Sequence, residues 1–567
     1  MAQQHEEALN EERRREMGTE AAEHILGPNP VVGVRGQDLL QTVNMLTWQA
    51  MMQPHLVLAH WLTFAAEAAR IAGGSSRLAP DDKDRRFQDA TWRENEMYRR
   101  TLQLYLAANN TVRDWVSALG LDEDEKKRAH FVLALLNDAL SPSNSMLNPE
   151  ALKRFLETGG ASTIHGLRHL LDDVQHNGGM PSQVDISAFK VGKNLAVTSG
   201  SVVFRSEVLE LIHYQPVTET VSERPLLIVP PQINKFYVFD LSPKKSLVQY
   251  ALSNGVQVFI VSWRNPTPAQ RNWGLETYIR AIGEAIDVVR AITGSTDCNL
   301  LGACSGGITT VTLLGYLAAH QEHSVHALTL LVSMFDTGKD QTALGLFATE
   351  EAIESARRHS HVRGVLEGKE MARVFSWLRP NDLIWNYWVN NYLLGHEPPA
   401  FDVLYWNNDT TRLPAALHSE FLTIYQHNLL AQAGGLTIRD TPIDVSQIRC
   451  DAYVLAGTTD HITPWQDCYR SGRLLGGQCE FVLSSSGHIQ SILNPPDNPK
   501  ATFYTNAEQP ADVEVWHAGA NRHNGSWWEH WKAWLLARSG SQKAAPPSVG
   551  NSIYTPLVEA PGTYVYE

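Results

Sequence analysis

A mostly parallel α/β sheet flanked by helices, with an inserted cap and a mainly helical domain ahead of it, is the architecture this sequence predicts. Three observations predict it. From about position 224 the chain alternates short apolar runs with longer amphipathic ones, the pattern of βα units. Ahead of that point, apolar residues recur at helical spacing. Between the run ending near 332 and the next at 452 lies a long segment containing Trp377, Trp385, Trp388 and Trp406 and no clear sheet-like run.

In the first part, 98–119 and 129–140 read as helices, punctuated by Pro and Gly at 141–149 and 176–181. The expected strands are 225–229, 256–261, 298–301, 327–332, 452–455 and 481–483, with helices such as 275–292 and 308–319 between them. A structureless loop as long as the Trp-rich segment is improbable, so it reads as a cap, about 335–447. The expected division is a mainly helical N-terminal domain, 1–215, and a catalytic domain, 216–567, that contains the cap. The tail, 539–567, is rich in Pro, Gly and Ser and reads as extended or weakly ordered.

Hydrophobic residues make up 43% of the 567 and charged residues 19%, enough for a large buried core. A net charge of -14, with short basic runs mixed with acids, argues against nucleic acid as a partner. The five cysteines, Cys298, Cys304, Cys450, Cys468 and Cys479, form no C-x-x-C pair and no zinc-like spacing, so no metal site is expected and a reduced, cytoplasmic setting fits. The first eighteen residues are charged where an export signal needs an apolar stretch. No transmembrane segment is expected, because the apolar stretch 39–72 is interrupted by Gln49, Gln53, Pro54, His55 and His60; its stripe reads as a packing face before a lipid-binding one.

The chemistry centres on NLLGACSGG at 299–307, where Gly302, Cys304 and Gly306 form G-x-C-x-G after a short strand and before a helix. This is a nucleophile elbow with Cys in place of Ser, the mark of the α/β-hydrolase fold. The turn puts Cys304 at a helix N-terminus, where the dipole favours thiolate, and the following amide, from Ser305, faces a developing oxyanion. Alone, a Cys among glycines is usually a small buried residue in a tight turn. The elbow, however, calls for an Asp and then a His, each just beyond a later strand, and Asp460 and His488 stand there in that order. Singly, Asp460 also reads as a helix cap for 464 onward and His488 as a polar loop residue.

His461 competes with His488, but a neighbour of Asp460 in sequence points away from the partner that Asp460 orients, so it reads as an outer residue. The second oxyanion donor is expected from the loop 230–235, with the Ile233 amide as the choice and simple turn structure as the alternative. Lys235 and Arg264 are candidates for meeting phosphates, or are merely solvated. Ser333, Ser486 and Gln490 are placed beside the acyl group by position; the alternative is that they satisfy local backbone.

These residues resemble the polyhydroxyalkanoate synthases, specifically the class II, medium-chain-length type. The matching segments are TWRENEMYRR at 91–100, GKNLAVTSGSVVFRSEVLELIHY at 192–214, PPQINKFYVFDLSP at 230–243, SWRNP at 262–266, LGACSGG at 301–307, FDVLYWNNDTTRLP at 401–414, DHITPW at 460–465 and SGHIQSILNPP at 486–496. Gln232 and the ACS of 303–305 are the class II features. The resemblance implies an enzyme that polymerises (R)-3-hydroxyacyl-CoA into polyester and releases CoA, with Cys304, Asp460 and His488 as its catalytic set. It needs no cofactor, since the CoA thioester is the substrate. The resemblance also implies a growing polyester chain as partner, a homodimer, granule-associated proteins, a place at the granule surface in the cytoplasm, and an N-terminal domain for oligomerisation or granule association.

A thiol suits such chemistry because thiolate attack on a thioester exchanges one thioester for another at little cost, leaving an acyl group ready for an alcohol. Water must then be kept out, and the Trp-rich cap is the expected lid and grip for acyl tails. Two rivals stand beside this reading: a thioesterase or esterase with the same triad, and a non-enzymatic granule protein with a fossil site. The product separates the three.

Overall fold

The computed structural model describes residues 36–82, 84–337, 350–370 and 380–567. Its frame is an eleven-stranded sheet. The strands are β1 (Gly200–Arg205), β2 (Leu209–Tyr214), β3 (Leu226–Val229), β4 (Val258–Trp263), β5 (Cys298–Ala303), β6 (Val325–Leu331), β7 (Asp451–Gly457), β8 (Cys479–Ser484), β9 (Thr502–Thr505), β10 (Asn521–Asn524) and β11 (Val558–Glu559). They lie in the order β10-β9-β8-β7-β6-β5-β3-β4-β2-β1-β11. The stretch from β8 to β4 is parallel throughout, and its strands coincide with the six expected apolar runs. Every residue of β3, β4 and β5 is buried, as a parallel sheet covered on both faces requires.

Helix α1 (Leu275–Thr293) turns its apolar stripe inward, and α2 (Ser305–Ala319), buried almost all round, follows β5 directly. Gly306 lets α2 approach the sheet: a Cβ there would lie 2.5 Å from the Val229 carbonyl oxygen and 2.6 Å from that of Pro230. Because both obstacles are backbone, Gly306→Ala is expected to cost about 1–3 kcal/mol of stability, read as a lowered urea midpoint at unchanged m. α3 (Trp527–Leu536) buries Trp527, Trp528, Trp531 and Trp534, and the Trp531 indole N–H donates to Thr329 Oγ1 on β6 at 3.0 Å.

Two further stretches of the chain join the sheets. Strands β1 and β2, which precede position 215, pair antiparallel into the main sheet through β4, and all of β2 is buried. The tail is extended but firmly bonded: Gln542–Ala544 pairs with Thr220–Ser222, and β11 pairs with β1. Its Pro and Gly serve turns, while its strand residues satisfy a sheet edge. Ahead of the sheet, the expected helices occur as Glu96–Ala118 and Glu123–Ala139, the latter opened by a capping box of Asp122 and Glu125. The stretch 39–72 lies largely in the helices Gly36–Met52 and Pro54–Ala72, which expose Trp48, Met51, Leu58, Trp61 and Leu62. Among the described residues, no helix is long and apolar enough to cross a membrane.

Between β6 and β7 the chain leaves the sheet through the helices Glu350–Arg363, Asp402–Asn408 and Ala415–His427 and two π-helical turns. Its described tryptophans make contacts within the protein. Trp388 donates to the Asn144 carbonyl at 3.1 Å and packs at 6.1 Å from Trp385, on the side where Tyr392 reaches Asp173 at 2.7 Å; these tie the segment to the N-terminal helices. Trp406 is buried against the loop after β3, and Trp377 lies outside the described residues.

Candidate active site

The elbow between β5 and α2 holds Cys304 at φ 50°, ψ -120°. That backbone costs a non-glycine residue about 1–3 kcal/mol and persists only when its surroundings enforce it. Here the Cys304 N–H donates to the Leu331 carbonyl at 2.9 Å, and its carbonyl accepts from Gly307 N at 2.9 Å and Ile308 N at 3.3 Å. The Ser333 hydroxyl donates to the same carbonyl at 3.2 Å and to Leu331 O at 2.9 Å, and Ser333 is fully buried. It therefore braces the elbow from behind instead of lining space beside the thiol, because local carbonyls occupy its only donor.

The loops after β7 and β8 bring Asp460 and His488 together. His488 Nδ1 lies 2.6 Å from Asp460 Oδ2. The other carboxylate oxygen accepts from the Ile462 and Thr463 amides at 2.9 and 3.0 Å, and the Thr463 hydroxyl donates to Oδ2 at 2.7 Å. With every lone pair of Asp460 directed, His488 Nδ1 holds its proton towards the carboxylate, and Nε2 is the ring nitrogen on the other side. Cys304 lies close enough to His488 to help raise its imidazole pKa. His461 is half-buried on the same loop, but the ring that meets Asp460 belongs to His488. Ser486 and Gln490 flank His488, both half-buried, and the Ser486 carbonyl accepts from Thr459 N at 3.2 Å.

Burial alone would depress the His488 imidazole, but the Asp460 carboxylate and the Cys304 thiol override it and raise its pKa to about 10. Asp460 shows the converse: burial pushes its carboxyl up, and His488 and Thr463 bring it below 3.8. A group with a raised folded pKa contributes stability that is full below its ordinary value of 6.5 and is lost as pH rises towards 10. A lowered carboxyl contributes above 3.8 and loses that contribution as pH falls. The stability gap between the wild type and His488→Gln is therefore expected to be widest between pH 3.8 and 6.5 and to narrow towards pH 10, as measured by thermal unfolding across pH.

The loop 230–235 lies across the N-terminus of α2. The Ser305 hydroxyl donates to Gln232 Oε1 at 2.7 Å and accepts from the Gln232 amide at 3.3 Å, while Gln232 Nε2 donates to Thr309 Oγ1 at 2.9 Å. From the cap side, Thr411 N and Oγ1 donate to the Ile233 and Gln232 carbonyls at 2.9 and 2.7 Å, and the Trp406 indole donates to Lys235 O at 2.7 Å. Among the described residues, neither the Ser305 nor the Ile233 amide donates to a protein acceptor. Lys235 and Arg264, the phosphate candidates, are engaged by Glu567: Lys235 Nζ donates to its main-chain oxygen at 2.7 Å, and Arg264 Nε is 3.6 Å from its carboxylate. Glu567 already meets both cations, Lys235 through its main-chain oxygen and Arg264 through its side-chain carboxylate.

Several contributors are not evident in the sequence pattern. Thr463, three residues after Asp460, had a local signal, the D-x-x-T turn in which a carboxylate collects nearby amides. Trp527 and Trp528 had none: their indoles donate to the Ser491 and Ile492 carbonyls at 2.6 and 3.0 Å and fix the turn that begins at His488. Tyr425 lies close enough to Cys304 and Cys468 that, after burial, both thiols push its phenol up further.

A cysteine on a strained strand-to-helix turn, with an Asp-held histidine at the carboxyl edge of a parallel sheet, defines an enzyme of the α/β-hydrolase fold, and residues 225–495 match the family model described as "alpha/beta hydrolase fold". Residues 83–251 match the model "Poly-beta-hydroxybutyrate polymerase (PhaC) N-terminus". The chain is 55% identical to poly(3-hydroxyalkanoate) polymerase 1 of Ectopseudomonas oleovorans over 97% of its own length and 99% of that protein's, and 52% identical to polymerase 2 of the same organism over 95% and 96%. It is 38% identical to the poly(3-hydroxyalkanoate) polymerase subunit PhaC of Cupriavidus necator over 97% of this chain and 93% of that one. This chain belongs to the poly(3-hydroxyalkanoate) polymerase family.

Proposed function

We propose that this enzyme joins (R)-3-hydroxyacyl-CoA units of medium chain length into polyester, carrying the chain on Cys304. With the Cys304 proton resting on His488 Nε2, as its raised pKa favours, the sulfur attacks the thioester carbonyl as thiolate. The Ser305 and Ile233 amides hold the oxyanion, and as it collapses CoA leaves as thiol with the proton from His488. The 3-hydroxyl of a further unit then attacks the acyl-Cys304 thioester, losing its proton to His488 or to Asp460; the C–O ester bond forms, the C–S bond breaks to free the Cys304 sulfur, and the lengthened chain, now on CoA, acylates Cys304 again with release of CoA. No added cofactor enters these steps.

The observation that carries this reading is the 2.6 Å contact of His488 with Asp460, beside a nucleophile whose own exposure is only 4%. Exclusion of water favours acyl transfer to an alcohol over hydrolysis, which sets the polymerase reading above a thioesterase or esterase on the same triad. The higher identity to the two Ectopseudomonas enzymes than to the Cupriavidus subunit supports the class II reading. The same reading makes the enzyme a homodimer at the surface of cytoplasmic polyester granules, where other granule proteins meet it, with the exposed Trp48, Met51, Trp61 and Leu62 offering an apolar face to that surface. The test uses 3-hydroxyoctanoyl-CoA, following thiol release together with insoluble polymer. Polymer with stoichiometric CoA is expected; free hydroxy acid with CoA and no polymer overturns the reading in favour of a hydrolase.

A further inference from the structure

The tail returns across the far edge of the sheet to the loop that follows β3, a docking that no catalytic argument above requires. Glu210 on β2 is completely buried, and its carboxylate accepts from the Thr563 amide at 2.8 Å, the Thr563 hydroxyl at 2.7 Å and the Tyr564 amide at 3.0 Å, with Arg205 Nε at 2.8 Å. Gly562 has φ 85°, and a Cβ there would lie 2.4 Å from Glu210 Oε2, so the turn is shaped to this carboxylate. The next residues deliver Glu567 to Lys235, whose relative exposure is 3%. Asn265 joins them: its Nδ2 donates to Glu567 O at 3.2 Å and its Oδ1 accepts from Arg412 N at 3.0 Å.

We infer that the tail is a positioning latch: Glu567 holds the buried Lys235 ammonium and thereby fixes the backbone of 230–235, including the Ile233 amide two residues away. A buried ammonium deprived of its acceptor does not stay in place, because leaving it unpaired costs several kcal/mol. Asp409, already taking the Tyr237 hydroxyl at 2.8 Å, is the other carboxylate acting on Lys235, and movement towards it or towards water drags the loop. The latch rests on the oxyanion reading given above. Lys235 and Glu567 are positioning residues, since neither touches the reacting atoms.

The experiment compares the full chain with a deletion of 563–567, with Lys235→Met and with both together. It measures kcat and KM for 3-hydroxyoctanoyl-CoA and the rate at which iodoacetamide alkylates Cys304, a reaction that needs no oxyanion donor. Each change alone is expected to lower kcat about 10- to 100-fold, below the roughly 10²- to 10³-fold loss of a whole oxyanion donor, with KM and alkylation near wild type. The double change is expected to cost no more than the deletion alone, since the deletion already removes the Lys235–Glu567 contact that Lys235→Met removes. A deletion within twofold of wild-type kcat, multiplying effects, or alkylation falling in step with kcat overturns the latch. Ile233→Pro, which lacks that N–H, tests the oxyanion reading separately. Slow Ile233→Pro beside a fast deletion overturns the latch alone, while fast Ile233→Pro overturns the oxyanion assignment and with it the proposed route through Ile233.

Discussion

Cys304→Ala is expected to release no CoA from 3-hydroxyoctanoyl-CoA, a fall of about 10⁴-fold or more, while its thermal unfolding stays close to wild type. The side chain is small, and the strained turn is enforced from outside by the Leu331 carbonyl, Gly307, Ile308 and Ser333, so the loss falls on chemistry rather than on the fold. Cys304→Ser keeps the shape but presents a hydroxyl, and at most weak turnover is expected. Near-normal CoA release by Cys304→Ala would remove the nucleophile assignment outright. Labelling offers an independent check. Burial pushes Cys298, Cys450 and Cys479 each to about 12, and Cys468 is raised by burial and then by Asp460 and Asp467, so Cys304 should react first with a thiol reagent. Loss of any other thiol first, with activity surviving, places the site elsewhere.

The second large effect separates His488 from Asp460. His488→Ala is expected to slow single-turnover acylation of Cys304 by about 10²- to 10⁴-fold, since it removes the ring that meets Asp460 and that the thiol acts on. Asp460→Asn retains a neutral partner for the ring, and the Thr463 hydroxyl lies 3.2 Å from His488 Nδ1, so acylation continues at a reduced rate. Elongation then reports on Asp460: if its carboxylate takes the 3-hydroxyl proton, chain growth in Asp460→Asn falls further than acylation does. Rapid quench of acyl-enzyme beside polymer yield gives the two rates. Wild-type acylation by His488→Ala refutes the division, and equal slowing of both steps in Asp460→Asn assigns the carboxylate to orienting the ring.

Local chemistry accounts for what was legible beforehand. The parallel strands announced themselves because strands buried on both faces must be continuously apolar, and the elbow because its turn tolerates only small neighbours. Asp460 and His488 followed from the order in which such a sheet delivers its loops to one edge. The reading went astray where a partner is distant in sequence. Ser333 looked like a pocket residue until Cys304 O was found within its reach, and Lys235 and Arg264 looked available for phosphates until Glu567 was found against them.

The sequence by itself determined the parallel part of the sheet, the elbow and the pattern of three side chains, since each depends on periodicity or on contacts a few residues apart. Tertiary structure alone decided which groups hold them. Trp527 holds Ser491, in the turn that begins at His488, from 36 residues away, Gln232 locks onto Ser305 across 73, and Lys235 meets Glu567 across 332. Such bonds pair groups whose own neighbours in sequence carry no trace of the contact. They form because a buried donor or acceptor must find a partner wherever the closed core leaves one, and only the packed chain specifies where that is.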